Sequence, residues 1–164
     1  MKELLEANRN APAFASASID IAAPVETVWA LMTRVEGWPD WNPDIKHAEV
    51  KGALRPGVVI RWKSGPGTIR STLVDLKEPS RMSWTGRIFG IKAIHVWTLE
   101  ALEERTRVQT EESWEGLIPR LAQGYSRRTL DSALASGLAY LKKEAERGLP
   151  GDGPAESESE SAIG

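Results

Sequence analysis

With 164 residues and a formal net charge of −2, the chain has the length of one domain and lacks the basic excess of a general nucleic-acid binder. Cysteine is absent, which excludes disulfides, thiolate catalysis and cysteine-ligated metal. Seven tryptophans against two phenylalanines and two tyrosines stand out, because each indole buries a large area and carries one N–H that needs a partner.

Residues 1–13 read as a polar, frayed lead-in, and MKELLEANRNAPAF has no continuous apolar run of the kind a secretory signal carries. No window approaches the roughly 18 apolar residues of a membrane span, so the expected setting is cytoplasmic, with no integral membrane contact. The folded domain is expected over 14–148. FASASIDI (14–21) alternates as a first strand. PVETVWALMTRV (24–35) follows, with Pro24 in the favoured first helical position and Val25, Val28, Trp29 and Met32 forming one apolar stripe. GWPDWNPDI (37–45) then breaks the chain into a turn or very short helix. In that bend Trp41 is expected as a core anchor and Trp38 at the rim of a pocket. Asn42 and Asp44 suit side-chain hydrogen bonds to nearby backbone.

From 45 to 115 the pattern changes to about six strands at roughly 10-residue spacing, punctuated by ALRPG (53–57), SGPGT (64–68), KEPSR (77–81), RIFGI (87–91) and LEER (102–105). Pro119 then opens one long helical segment over 120–148, with Leu130, Leu134, Leu138 and Leu141 on one side and Gly148 and Pro150 as the stop. The tail 149–164, rich in Glu and Ser, reads as disordered and acidic.

Hairpin arithmetic tests whether these strands share an inward face. A turn at Glu103–Glu104 sets Leu99 against Val108, Trp97 against Thr110 and His95 against Glu112. One at Phe89–Gly90 sets Trp84 against His95 and Met82 against Trp97. A turn at Gly65–Pro66 sets Trp62 beside Ile69, although a register one residue away is equally compatible with the sequence. The inward face then carries Trp62, Trp84, Trp97 and Trp114. The helix opposite offers Ala133 and Gly137 beside its leucines, so the two surfaces either interdigitate or leave a void for a ligand.

The stretch IDIAAPVETVWALMTRVEGWPDWNPDI, the strand TRVQTEESWEG and the long terminal helix together resemble the START-like, helix-grip superfamily. More narrowly they resemble its polyketide cyclase/dehydrase and lipid-transport group. The resemblance implies an α+β fold in which a seven-stranded antiparallel sheet wraps a long C-terminal helix, with a short helical pair after the first strand. It also implies a cavity between sheet and helix for a hydrophobic or aromatic small molecule, with no cofactor. Some members carry such ligands, some catalyse cyclisation, aromatisation or dehydration, and some act on chaperones or ribosomes. Monomer and homodimer are both open.

The candidate site residues follow from the inward face. His95 and Glu112 form a polar pair able to abstract a proton α to a carbonyl, the carboxylate favouring the charged imidazole. A satisfied structural pair is the alternative reading. Trp38, Trp41, Trp62, Trp84, Trp97 and Trp114 could stack a flat ligand or fill the core. Arg70 would reach the cavity and polarise a carbonyl if its strand slipped by one residue, and is otherwise exposed. Tyr125, expected on the helix face toward the sheet, could offer its hydroxyl. Arg120, Arg127 and Arg128 read as a solvated basic patch. With only His47 and His95 and no H-E-x-x-H spacing, no metal site is expected.

Overall fold

The computed structural model describes residues 3–147, and the expectations for Gly148, Pro150 and the acidic tail lie outside them. Strand β1 (Ala13–Ile21) is followed by α1 (Val25–Thr33), a 3-10 turn (Val35–Gly37) and the one-turn α2 (Trp38–Trp41). Six strands follow: β2 (Ile45–Val50), β3 (Val59–Ser64), β4 (Gly67–Lys77), β5 (Arg81–Ile88), β6 (Ile91–Ala101) and β7 (Thr106–Glu115). Two helices close the described chain, α3 (Leu117–Leu121) and α4 (Gln123–Ala145).

The strands form one antiparallel sheet in the order β1-β7-β6-β5-β4-β3-β2. Its two edge strands, β1 and β2, are consecutive in sequence and are joined by the segment that carries α1 and α2. The sheet carries α4 against its concave face, where Leu130, Leu134, Leu138 and Leu141 are all buried. This is the helix-grip architecture that the resemblance implied. The stripe of α1 is buried as its spacing requires, with Pro24 one position earlier than expected, as the cap whose carbonyl accepts from Thr27 and Val28.

The hairpin registers agree with the arithmetic: Leu99 lies opposite Val108, His95 opposite Glu112, Trp84 opposite His95 and Trp62 opposite Ile69. The β5–β6 turn places both Phe89 (φ 47) and Gly90 (φ 74) in the left-handed region, the twist that a two-residue hairpin prefers.

Two expectations are corrected here. The terminal helical segment is not continuous, because Ala122 leaves helical geometry (φ −123, ψ 50) and separates α3 from α4. Residues 3–12 are not frayed, for they cross the convex face of the sheet and are anchored at several points. The Leu5 N–H donates to Asp75 Oδ2 (2.9 Å), the Asn8 N–H to Ser113 Oγ (3.0 Å), and Arg9 Nη2 to Glu111 Oε1 (2.6 Å). Ser83 Oγ also donates to Asp75 Oδ2 (2.7 Å), and Arg81 donates to the Leu5 carbonyl. Ala7 and Ala11 of this strap are buried.

Candidate functional site

Small residues on α4 face large ones on the sheet, and the two do not fill the space between them. A cavity of about 480 Å³ remains, within the range of small-molecule sites. Its sheet wall is aromatic: Trp62 from β3, Trp84 from β5 and Trp97 from β6, joined by Trp38 and Trp41 from α2. Met32 and Met82 add polarisable, adaptable surface, while Ala133, Leu134 and Gly137 of α4 form the opposite side. The lining residues that are exposed, Pro43, Asp44, Lys46, Gly65 and Ala133, mark the opening.

The tryptophans of GWPDWNPDI exchange the parts expected of them. Trp38 is the buried anchor, donating Nε1–H to the Met32 carbonyl (2.9 Å) and packing against Trp62 and Trp84 at centroid distances of 6.1 and 5.9 Å. Trp41, one helical turn on, is half-buried and stands toward the opening. Pro39 in the first turn of α2 fixes the bend, and the Asp44 N–H donates to Asn42 Oδ1 (3.1 Å), turning the chain into β2.

His95 sits deep in the wall between the rings of Trp84 and Trp97, at centroid distances of 4.8 and 5.1 Å. Both of its nitrogens are occupied. Nδ1 lies 3.3 Å from Glu112 Oε2, and Nε2 is hydrogen-bonded to Thr110 Oγ1 at 2.8 Å. The carboxylate favours a proton on Nδ1, which leaves Nε2 to accept from the Thr110 hydroxyl. Glu112 is engaged on its other oxygen, since Trp114 donates Nε1–H to Oε1 (2.8 Å). Burial pushes the His95 pKa below its ordinary value, and Glu112 opposes that shift without reversing it. The expected charged imidazole is therefore corrected to a neutral one, because desolvation outweighs the single neighbouring carboxylate.

Three expected lining residues stand elsewhere. Arg70 pairs with Arg61 and Arg87 across the convex face, because the first register holds and the slip that would turn it inward does not occur. Trp114 faces inward but packs on Ala13, Ala15, Leu130 and Leu134 outside the cavity. Tyr125 lies at the start of α4 and is 73% exposed, because five residues before Leu130 it stands about 140° around the helix from the buried leucine stripe. Thr110 was not singled out from the sequence, although alternation on β7 places it on the same face as Glu112 and opposite Trp97. Two indole N–H groups, of Trp41 and Trp97, are buried without a hydrogen-bond partner among the described residues. Among those residues no group of three His, Asp or Glu is placed to hold a metal ion.

A long helix gripped by a seven-stranded antiparallel sheet, with a cavity between them, defines a START-like protein. Residues 13–146 match the family described as "Polyketide cyclase / dehydrase and lipid transport", and the chain belongs to that family. Among solved structures, a START superfamily protein from Mycobacterium smegmatis superposes with a TM-score of 0.71 at 18% identity, covering 81% of this chain and 97% of that one. A hypothetical protein from Helicobacter pylori gives 0.72 at 16% identity, covering 88% and 99%. The Zhui aromatase/cyclase of a Streptomyces species gives 0.67 at 19%, covering 82% and 93%. At these identities the likeness is one of fold. Among curated protein sequences nothing matches the chain. Family and fold indicate a ligand-binding or polyketide cyclase-type protein, and no described helix is long and apolar enough to cross a membrane.

Proposed function

We propose that the chain binds a small hydrophobic or aromatic molecule in this cavity and carries or sequesters it without reacting. The observation that supports this is the state of the most reactive side chain in the wall. His95 is neutral, stacked between two indoles, and has neither nitrogen free for a ligand proton. Five tryptophans and two methionines supply shape and dispersion contact instead. The wall of the cavity is mostly apolar, so the ligand we envisage is mostly apolar too. The setting proposed is cytoplasmic.

Native mass spectrometry of freshly purified full-length protein tests this. The expected result is a mass above that of the chain which is lost on denaturation, and which persists in a His95→Gln variant. A second reading, a cofactor-independent cyclase or dehydratase, draws on the contact between His95 and Glu112 in the cavity wall. It requires His95 to leave Thr110 and act as base. Conversion of a poly-β-ketone thioester by the wild type, abolished in His95→Gln, would establish that reading over the carrier.

A further inference from the structure

Among the described residues six large hydrophobic side chains are exposed, and five of them gather at one end of the molecule. Phe89 (65% exposed) tips the β5–β6 hairpin, Leu117, Ile118 and Leu121 project from α3, and Tyr125 begins α4. The chain brings them together at Gly116, whose φ of 132 and lack of a Cβ let it press on the hairpin. A Cβ there would lie 2.5 Å from the Gly90 carbonyl oxygen. This end also carries the opening of the cavity, since Gly67, two residues from the lining residue Gly65, abuts Ile88 and Phe89.

Cations rim the patch. Arg87 and Lys92 are cross-strand partners next to the hairpin tip, and Arg120 lies within α3. None of the three takes part in an ion pair among the described residues. Arg127 and Arg128 follow on α4, with their Nε groups on the carbonyls of Pro12 and Gly124. The nearby acidic groups are Glu115, which accepts from Asn8 Nδ2, and Asp44 close to Arg128. A chain of net charge −2 thus places a cationic rim around the cluster that holds five of the six exposed large hydrophobic residues among those described.

We propose that this end docks on an anionic lipid surface, with Leu117, Ile118, Leu121 and Phe89 entering the interfacial layer and the rim meeting the headgroups. Apolar side chains ringed by Arg and Lys have the composition of an interfacial anchor, and an anionic surface neutralises the cations that would otherwise repel. A second copy of the chain fits less well, because a two-fold contact over this patch would set cationic rim against cationic rim. The docked orientation turns the cavity opening toward the lipid. The docking itself does not depend on what the cavity holds.

Because the chain has no cysteine, single Cys variants can carry an environment-sensitive nitrobenzoxadiazole dye. The label is placed at Leu121→Cys, and a control at Glu103→Cys in the turn at the opposite end of β6. With phosphatidylcholine/phosphatidylserine vesicles, emission at Leu121 is expected to shift to the blue and brighten several-fold. Phosphatidylcholine alone, or high salt, is expected to remove the response. Arg120→Gln should weaken partition about fivefold. The double variant Leu117→Ser, Ile118→Ser should lose it while keeping the wild-type circular dichroism spectrum. No response at Leu121 to anionic vesicles, or an equal one at Glu103, would overturn the proposal. So would a concentration-dependent response without lipid that tracks dimerisation, which would assign the patch to a second copy. Binding of polyglutamate in place of vesicles would assign it to an acidic polypeptide.

Discussion

The two faces of the sheet solve opposite problems. Part of the convex face is covered by residues 3–12 through specific polar contacts, with Asp75, Ser83, Glu111 and Ser113 buried and each provided with a partner. The concave face is mostly aromatic, and its long helix brings Ala133 and Gly137 where larger side chains would have completed a core. Under this strap even the hydroxyls of Ser83 and Ser113 are paired. The void on the other side is therefore set by the choice of side chains and is no failure of packing. The titratable pair deep in its wall, His95 and Glu112, is already satisfied by Thr110 and Trp114.

Substitutions on each face sharpen this contrast. The largest effect is expected for Trp84→Ala, which removes the ring between Trp38 and His95 and should lower unfolding free energy by about 3–5 kcal/mol in urea titrations. On the convex side, Asp75→Ala strips the acceptor from the Leu5 N–H and the Ser83 hydroxyl. A loss of about 1–3 kcal/mol is expected, with faster proteolysis confined to the N-terminal strap. If the whole domain were cleaved at the same rate as the strap, the strap would be integral to the fold and no separate layer.

His95 gives a smaller, pH-dependent effect. Its folded-state pKa lies below the ordinary value of 6.5, so below that pH the unfolded chain takes up a proton that the folded chain resists. The stability associated with this residue is present above pH 6.5 and is lost as the pH falls from there toward the lowered folded value. Urea midpoints measured on both sides of that pH should show the loss in the wild type and its disappearance in His95→Gln. The smallest change is expected for Arg9→Ala. Its guanidinium is 71% exposed, so the pair with Glu111 contributes about 0–1 kcal/mol, and the melting temperature should barely move.

The same contrast explains what the sequence could and could not reveal. Registers of β5, β6 and β7 were legible because short turns at Phe89–Gly90 and Glu103–Glu104 leave little freedom in counting, and that counting brought His95 to Glu112. The strap was not legible, because its anchors Asp75, Glu111 and Ser113 lie 70 or more residues away and alternation gives no sign of a second layer outside the sheet. Trp38 and Trp41 lie on one turn of helix, and sequence spacing alone does not say which ring finds the Met32 carbonyl. The exposed position of Tyr125 follows from helix phase alone, since it lies about 140° around α4 from the stripe that Leu130 begins. The neutrality of His95 depends on burial between two indoles, a tertiary quantity that its pairing partner on β7 does not convey.

Gly137 offers the most direct test of a void shaped for a ligand. It lines the cavity, and a Cβ added there would meet nothing within 4 Å. Gly137→Leu should therefore fill the space from the helix side and stabilise α4 by about 0.5–1 kcal/mol through the loss of glycine's backbone freedom. The decisive measurement is a fluorescence titration of wild type and Gly137→Leu with N-phenylnaphthylamine, an uncharged aromatic probe. Saturable binding by the wild type is predicted, weakened about tenfold or more in the variant, with thermal stability unchanged or higher. Equal affinity in the two proteins, or no saturable binding by the wild type, would contradict a ligand-binding cavity between sheet and helix.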